Sequence, residues 1–493
     1  MKKYKLEVVV FLCGAIVMVL EIVGSRIIAP YLGTSIIVWT SLIGVIMGAL
    51  SLGYWWGGKL ADIRPNYEKF SFIIFLSAIF TLIITFSEKL LVYSNKLLLA
   101  NLYAGTIIAA SLLFLAPSFL LGMVSPYAAR LRLKDLQTSG ATVGRLYAIS
   151  TGGSIVGTFL AGFVLLPWLG CMRIVVILSI CLFLVSIFIH PKNFLLPKLF
   201  LLTFVLVEFL TMSFSQPTLG RNQTISIDTL YHHAVIRQTT DKKTGRAIRT
   251  LSFEPLGIQS AVFLDSNDLV FEYSKFYNLA DFFHPENERA LLLGGAAFAY
   301  PRYFLATHLK AEMDVVEIDP AMHEIAKQYF QLTDNPRLHV YNEDARLFLN
   351  NVSVSSYDVV YGDAFSSQLS IPYQLATKET VAKIYESLKK GGVAILNIVS
   401  AIEGEQGMFL RAEYRTYKSI FPQVYIFQVN KSDQPNKVQN VILVAIKNSQ
   451  LPNFNNLENK EYLQNLWQAE IAEDMPIITD DYAPVDYYAS KMF

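Results

Sequence analysis

The sequence has little net charge and few charged residues. Lys and Arg number 41 against 40 Asp and Glu, which gives a net charge of +1, and these four residue types make up 16% of the chain. Nucleic-acid binding requires a basic patch or stripe, and we find none in the sequence. The three cysteines, Cys13, Cys171 and Cys181, lie in or beside apolar segments without metal-ligand spacing. We therefore expect neither a nucleic-acid partner nor a metal.

Apolar residues are abundant instead, at 53% of the chain, and they are concentrated before residue 215. This part contains apolar stretches of roughly 18 to 25 residues, long enough to cross a hydrocarbon core of about 30 Å. The pattern predicts a transmembrane helical bundle over residues 1–215. We place about seven spans at 6–30, 36–57, 69–88, 102–125, 149–168, 172–190 and 196–214.

Basic residues in the short loops predict how this bundle is oriented. Twelve Lys and Arg fall on the side of the N-terminus and four on the other side. By the positive-inside rule the N-terminus is cytoplasmic, in a multi-pass protein of the cell membrane. Seven spans would place the rest of the chain outside the cytoplasm, so the side of the C-terminal part is left open.

Two glycine pairs at a spacing of four residues indicate close helix packing within the bundle. Gly44 and Gly48 form one pair in the second span, and Gly153 and Gly157 form the other in the fifth. Small residues at this spacing let two helix backbones approach each other in a membrane.

Strand and helix patterns alternate from residue 289 onward. "RALLLGG" precedes a helix over about 300–309, "EMDVVEID" precedes "PAMHEIAKQYF", and further strands include "YDVVYGDA" and "VAILNIVS", the latter at 393–400. This alternation predicts an α/β, Rossmann-like, mainly parallel sheet over residues 286–493. Short strand patterns before it predict a small β-rich part over residues 216–285.

Glycines or carboxylates stand at the ends of four successive predicted strands: Gly294 with Gly295, Glu317 with Asp319, Asp344, and Asp363. In a doubly wound sheet the ligand binds beyond the carboxyl ends of the strands, so these residues should line one crevice. Taken singly, Asp319 and Asp344 could equally be helix N-caps.

The residue types in this crevice favour a nucleoside that carries a cationic sulfonium. The turn "GGAAFA" lacks the third glycine of the dinucleotide fingerprint, which disfavours NAD. Gly294 and Gly295 would let backbone approach the ligand, and Glu317 would accept hydrogen bonds from both ribose hydroxyls. Asp344 could accept from the adenine amino group, and nearby carboxylates would favour the positive sulfur.

Parts of both halves resemble the fused membrane/spermidine synthase family. Residues 21–62, beginning "EIVGSRIIAP", and 144–170, beginning "GRLYAISTGGSIVG", resemble its membrane domain. The C-terminal half resembles spermidine synthase, an aminopropyltransferase with a methyltransferase-like fold that uses decarboxylated S-adenosylmethionine. "TLYHHAVIRQ", "AIRTLSFEP" and "GIQSAVFLD" match the β-rich piece that precedes its sheet.

The resemblance implies roles for individual residues. Asp363 falls on the catalytic position, where the carboxylate takes a proton from the attacking amine and stabilises its developing charge. His232 stands where a nucleoside-binding glutamine commonly follows the tyrosine. The implied nucleoside-binding residues are Gly294, Gly295, Glu317, Asp344, Ala345, Gln259, Tyr231 and His232. The implied partners are decarboxylated S-adenosylmethionine or S-adenosylmethionine, a small amine acceptor, the lipid bilayer and a second copy in a homodimer.

The acceptor side departs from the family pattern. Ala297 stands at the position of the acid that grips the far amine of putrescine, Tyr273 replaces the histidine of a "YHE" motif, and Ser366 replaces a second acid. We expect Ala297, Phe298 and Ser366 to make the far-amine part of the site roomier and more apolar. The acceptor should then be a monoamine, a longer amine with a hydrophobic body, or a molecule delivered from the bilayer.

The C-terminal segment "TDDYAPVDYY" offers an alternative source of negative charge. Asp480 and Asp481 could restore an anion for a distal amine if this segment folds over the crevice, although acidic turns before proline are usually solvated loops.

The sequence is also compatible with other functions. Methyl transfer from S-adenosylmethionine would use the same nucleoside pocket, and loss of the diamine acids would suit a decayed, non-catalytic nucleoside binder. Transport would rest on the spans alone, without an evident inverted repeat.

Overall fold

The computed structural model divides the chain into two units, Met1–Pro217 and Thr218–Phe493, each of which we describe by itself. The structure describes residues 4–87, 91, 98, 101–133, 139–191, 197–199, 202, 203, 205, 224–253, 257–364, 371–431, 434–452 and 460–492.

Among the described residues of the N-terminal unit, six helices are long and apolar enough to cross a membrane. They are α1 (Lys5–Leu32), α2 (Ile36–Ile63), α3 (Tyr67–Phe86), α4 (Leu102–Arg132), α5 (Ser139–Trp168) and α6 (Cys171–Ile189). Each coincides with one of the first six predicted spans. The predicted seventh span, 196–214, lies for the most part outside the described residues.

Glycines let these helices pack backbone to backbone, but only one of the two predicted pairs does so. A Cβ on Gly153 would lie 2.0 Å from the Phe11 carbonyl oxygen, and one on Gly157 would lie 2.3 Å from that of Ala15, so α5 packs closely against α1. No described atom lies within 4 Å of a Cβ built on Gly44 or Gly48, which corrects that prediction. On α2 the close contacts belong to residues 53 and 57, against α4.

The C-terminal unit begins with a small antiparallel sheet in the strand order β1-β2-β3-β4. The strands are β1 (Thr224–Asp228), β2 (His233–Thr240), β3 (Ala247–Ser252) and β4 (Ser260–Phe263). The apolar face of this sheet buries Ile225, Ile236 and Leu251 in one cluster with Ala297 and Met322, which belong to the part of the unit that contains the second sheet. The small sheet therefore covers the "GGAAFA" turn at residues 294–299.

The second sheet has seven strands in the order β10-β11-β9-β8-β5-β6-β7. They are β5 (Arg289–Leu293), β6 (Glu312–Val316), β7 (Leu338–Tyr341), β8 (Tyr357–Gly362), β9 (Leu388–Ser400), β10 (Gln423–Gln428) and β11 (Gln439–Ile446). Strands β5 to β9 pair in parallel, and β10 and β11 pair antiparallel. The predicted Rossmann-like sheet is confirmed. Strand β9 begins at Leu388 rather than at the predicted 393, and it pairs with β8 from that residue.

Helices connect the strands and cover both faces of this sheet. They are α7 (Glu272–Lys275), α8 (Leu279–Phe283), α9 (Ala299–Thr307), α10 (Pro320–Tyr329), α11 (Ala345–Asn351), α12 (Lys378–Ser387), α13 (Met408–Lys418), α14 (Lys460–Leu463) and α15 (Val485–Ser490). The chain leaves β5 toward β6 and β7 and returns to the other side of β5 at β8. The switch point of the sheet therefore lies between β5 and β8, where a ligand crevice is expected.

Candidate active site

The backbone at the switch point brings the β5 turn against the end of β8. Gly294 has a φ of +93°, and a Cβ there would lie 2.5 Å from the Asp363 carbonyl oxygen. Only glycine fits both the left-handed conformation and this contact. The Asp363 N–H donates to the Leu293 carbonyl at 2.9 Å, which fixes the catalytic candidate beside the glycine turn.

Glu317, at the end of β6, is held by backbone donors. Its side chain is buried, Oε2 accepts from the N–H groups of Gly295 at 2.8 Å and Ala296 at 3.0 Å, and Oε1 accepts from the Asp319 N–H at 3.0 Å. A carboxylate has about four acceptor positions, so one remains on Oε1 for a ligand hydroxyl. The residue predicted to bind ribose thus also shapes the turn.

The "GGAAFA" turn is strained at two residues that are not glycine. Ala296 and Phe298 have φ values of 44° and 55°, a left-handed conformation that costs about 1–2 kcal/mol for an ordinary residue. The side chains of Ala297 and Phe298 are fully buried in the apolar core. The expectation that these two side chains line the far-amine part of the crevice is therefore wrong, because they point into the protein.

Asp344 caps a helix and still offers an oxygen to the crevice. Its Oδ1 accepts from the N–H groups of Arg346 at 2.7 Å and Leu347 at 3.3 Å, which begins α11. Its Oδ2 faces the Gln374 amide at 3.5 Å. The neighbouring Ala345 is buried. The cap and the predicted adenine contact use different oxygens, so the two interpretations are compatible.

Asp319 serves the small sheet rather than a ligand. It caps α10 by accepting from the Ala321 N–H, and its other oxygen contacts the Thr229 hydroxyl and His232 Nδ1, the latter at 3.3 Å. Burial acts to raise the pKa of Asp319, but the His232 and Thr229 hydrogen bonds bring it below its ordinary value. His232 also stacks on Phe253, with 4.0 Å between ring centroids. These contacts tie the small sheet to the end of β6.

Tyr231 lies in the turn between β1 and β2, and Gln259 directly precedes β4. Tyr231 is 45% exposed and lies next to the His232 ring. Gln259 is half-buried, and its backbone N–H donates to the Leu251 carbonyl at 2.8 Å. Their assignment to nucleoside binding stays a prediction.

Asp363 is held by side chains, unlike Glu317. The Tyr273 hydroxyl donates to Oδ2 at 3.2 Å, and the Asn397 amide donates to Oδ1 at 3.2 Å. Burial raises the pKa of Asp363 from 3.8 to about 6, and the hydrogen bonds from Asn397 and Tyr273 oppose a larger rise. Burial and the Asp363 charge raise the pKa of Tyr273 well above its ordinary value, so Tyr273 keeps its proton as a donor. A carboxyl group with this pKa can accept a proton near neutral pH.

Two asparagines behind Asp363 escape the sequence analysis. The Asn440 amide on β11 donates to the Asn397 carbonyl oxygen at 2.9 Å, and Asn397 on β9 donates onward to Asp363. Asn397 is 6% exposed. An asparagine in the otherwise apolar strand "VAILNIVS" is the signal that could have identified it, because a buried amide requires hydrogen-bond partners.

The remaining acceptor-side candidates are divided between the crevice and other positions. Tyr273 lies against Asp363, whereas Ser366 falls outside the described residues. Asp480 pairs with Arg346, with 2.7 Å between Oδ2 and Nη2, and Asp481 is exposed beside it. The pairing of Asp480 does not support its role as the missing anion for a distal amine.

Comparison with known proteins agrees with this geometry. Residues 271–454 match the family model described as spermine/spermidine synthase domain. A polyamine aminopropyltransferase of Vibrio vulnificus is 26% identical over 246 residues, 46% of this chain and 80% of that protein. An N-terminal histidine N-methyltransferase of Emericella nidulans is 34% identical over 119 residues, 23% of this chain and 20% of that protein.

Among solved structures, a probable spermidine synthase from Corynebacterium glutamicum is similar with a TM-score of 0.43 and 21% identity. The match covers 51% of this chain and 87% of that one. The family model and the sequence relatives identify the domain. Residues 271–454 therefore form a spermine/spermidine synthase domain, and the C-terminal unit is a transferase of the polyamine aminopropyltransferase class.

Proposed function

We propose that the protein is a membrane-bound aminopropyltransferase that moves the aminopropyl group of decarboxylated S-adenosylmethionine to an amine. The observation that carries this proposal is Asp363, a carboxyl group with a pKa of about 6 at the switch point of the sheet. It lies beside the glycine turn that Glu317 holds in place. This arrangement joins a base to a nucleoside crevice.

The nucleoside would bind across the ends of β6 and β7. The free position on Glu317 Oε1 would accept from a ribose hydroxyl, and Asp344 Oδ2 would accept from the adenine amino group. The carboxylates would also stabilise the sulfonium in the ground state. Both acids are fixed before binding, one by backbone donors and one as a helix cap, so little ordering would accompany binding.

Asp363 would accept the proton that the amine loses. The amine nitrogen attacks the aminopropyl carbon bonded to sulfur, so an N–C bond forms and the C–S bond breaks. The electron pair of that bond goes to sulfur and releases neutral methylthioadenosine. The nitrogen gives its extra proton to Asp363. The hydrogen bonds from Tyr273 and Asn397 orient the Asp363 carboxylate for this step. General-base catalysis of this kind contributes about 10²–10⁴ in rate.

The acceptor proposed is a monoamine or an amine with a hydrophobic body rather than putrescine. An ammonium group without a partner in a closed pocket costs several kcal/mol, so a diamine needs an anion at each end. The chain has Ala297 where the family has its distal acid, so no carboxylate comes from that position, and Asp480 is already paired with Arg346. These observations support a monoamine or an amine with a hydrophobic body as the acceptor.

The test uses the full-length protein in detergent with decarboxylated S-adenosylmethionine and a panel of amines of graded length and charge. Release of methylthioadenosine together with an aminopropylated monoamine is the expected result, and S-adenosylmethionine serves as the control donor. Efficient aminopropylation of putrescine would contradict the acceptor class. Methylated product from S-adenosylmethionine, without any aminopropyl transfer, would contradict the reaction.

We further propose that the C-terminal unit lies in the cytoplasm. Six described helices can cross the membrane, and an even number of crossings returns the chain to the side of the N-terminus; this proposal requires that the predicted seventh span, 196–214, does not cross. A cysteine in place of Lys242, in a cysteine-free background, should react with an impermeant reagent only after cells are opened. A cysteine in place of Thr34, in the loop after α1, is the matched external control. Labelling of residue 242 in intact cells would place the unit outside.

A further inference from the structure

We propose that the Arg346–Asp480 ion pair is a latch that positions Gln374 against Asp344 and so helps bind the nucleoside. This inference rests on the proposed function, since it assigns a role in that same site. Arg346 and Asp480 are then positioning residues that lie far apart in the sequence. Among the described residues, no hydrogen bond joins either of them to the base Asp363.

Arg346 joins three segments that are far apart in the chain. It lies on α11, two residues after Asp344, and its side chain is 18% exposed. Its Nη2 donates to Asp480 Oδ2 at 2.7 Å, and Nη1 donates to Asp480 Oδ1 at 3.3 Å, so the pair is bidentate. Nη1 also donates to the Thr377 hydroxyl at 3.0 Å and to the Gln374 carbonyl at 3.3 Å. Such planar two-point pairing is a property of arginine that lysine lacks.

Gln374 is the link between this pair and the crevice. Its carbonyl oxygen accepts from Arg346 and from the Thr380 hydroxyl, which fixes its backbone. Its side-chain amide then reaches to 3.5 Å from Asp344 Oδ2, the oxygen that we assign to the adenine amino group. A carboxamide beside this oxygen supplies both a donor and an acceptor to an adenine edge.

The C-terminal segment that carries Asp480 is anchored independently of the ion pair. The Lys378 N–H donates to the Ile478 carbonyl at 2.8 Å, and the Ile478 N–H donates to the Thr416 hydroxyl at 3.0 Å. The Asp480 N–H donates to Glu379 Oε2 at 3.0 Å. Asp480 Oδ1 also accepts from the Thr377 hydroxyl at 2.7 Å, an interaction that an asparagine carbonyl oxygen can keep. Removing the Asp480 charge should therefore leave the segment in place and weaken chiefly the hold on Arg346.

The experiment measures methylthioadenosine affinity by calorimetry and steady-state kinetics on the full-length protein. Asp480→Asn and Arg346→Lys should each raise the Kd for methylthioadenosine and the KM for the nucleoside by about 3- to 10-fold, the usual loss for one charge-assisted contact. The kcat and the KM for the amine should stay unchanged. Because the two residues act as one pair, the double variant should be no worse than the worse single variant.

Asp334→Asn is the matched control, because Asp334 is an exposed aspartate whose ion pair with Lys327 involves neither Arg346 nor Gln374. It should leave all four quantities unchanged. Unchanged nucleoside affinity in both Asp480→Asn and Arg346→Lys would overturn the latch. A rise in the amine KM alone in Asp480→Asn would also overturn it, since Asp480 would then contact the acceptor. Absence of methylthioadenosine binding by the unmodified protein would reject the proposed function itself, an outcome distinct from the other two.

Discussion

Two carboxylates at the carboxyl edge of one sheet, Glu317 at the end of β6 and Asp363 at the end of β8, are held by different kinds of donor. Glu317 accepts from three backbone N–H groups, whereas Asp363 accepts from the side chains of Tyr273 and Asn397 in a half-buried position, where desolvation raises its pKa to about 6. Backbone donors fix the position of an acceptor for binding, while burial with few donors leaves a carboxyl group able to exchange a proton. The donors, rather than the residue type, separate the binding role from the chemical one.

The largest effect expected from this division is on turnover at Asp363. Asp363→Asn should slow kcat by roughly 10² to 10⁴, because the base is lost, while the Kd for methylthioadenosine stays nearly intact. Steady-state kinetics and calorimetry on the same preparation check both values. Asp334→Asn, at an exposed aspartate, is the control for the substitution itself. Normal turnover in Asp363→Asn would reduce Asp363 to a residue that merely ends a strand.

The complementary change at Glu317 should act on binding. Glu317→Gln should weaken methylthioadenosine binding by about 1–3 kcal/mol, because the neutral amide is a poorer acceptor for the ribose and for the turn's N–H groups. Calorimetry measures the loss directly. An affinity equal to that of the unmodified protein would contradict the assignment of Glu317 to ribose binding. The contrast between a binding role for Glu317 and a chemical role for Asp363 would then be lost.

Burial of Asp363 should also appear in stability. The folded pKa of about 6 lies above the ordinary value of 3.8, so the stability linked to the protonated form is present below about pH 4 and is lost as the pH rises through 6. Asp363→Asn, which cannot ionise, should gain about 1–3 kcal/mol in unfolding free energy at pH 8 and little at pH 4. Chemical denaturation at the two pH values tests this. Equal effects at both would contradict a buried, titrating carboxyl group.

A smaller effect is expected from the donor behind Asp363. Asn397→Ala removes a hydrogen bond that lowers the pKa of Asp363, so that pKa should rise by up to about one unit. The acidic limb of the kcat/KM profile should then move to higher pH, with the activity at pH 9 largely retained. Asn440→Ala should produce a weaker shift in the same direction. Loss of activity at every pH, without a shift, would assign Asn397 a structural role instead.

Features of the fold and of the site that depend on local sequence patterns could be predicted from the sequence. Apolar strands that end in Glu317, Asp344 and Asp363 predicted both the parallel sheet and the residues at its carboxyl edge, because strand direction fixes where each end lies. The first six spans followed from hydropathy in the same way. Local pattern also indicated two possible roles for Asp344; the structure shows the helix cap, and the adenine contact stays a prediction.

Features that depend on distant residues could not be predicted. Asn397 and Asn440 meet through the pairing of β9 with β11, and Arg346 meets Asp480 across 134 positions. The inward orientation of Ala297 follows from how the small sheet packs over the turn, which no local pattern encodes. Gly44 and Gly48 show the same limit, since their spacing suits packing but the contact falls elsewhere on α2.

The pH dependence of kcat/KM for the unmodified protein, measured from pH 5 to pH 9 with decarboxylated S-adenosylmethionine and an accepted amine, tests the central claim most directly. If Asp363 is the base, activity should fall tenfold per pH unit below an apparent pKa of about 6. Asp363→Asn should abolish that limb together with most of the rate. A profile that is flat down to pH 5 in the unmodified protein would contradict the assignment of Asp363 as the proton acceptor.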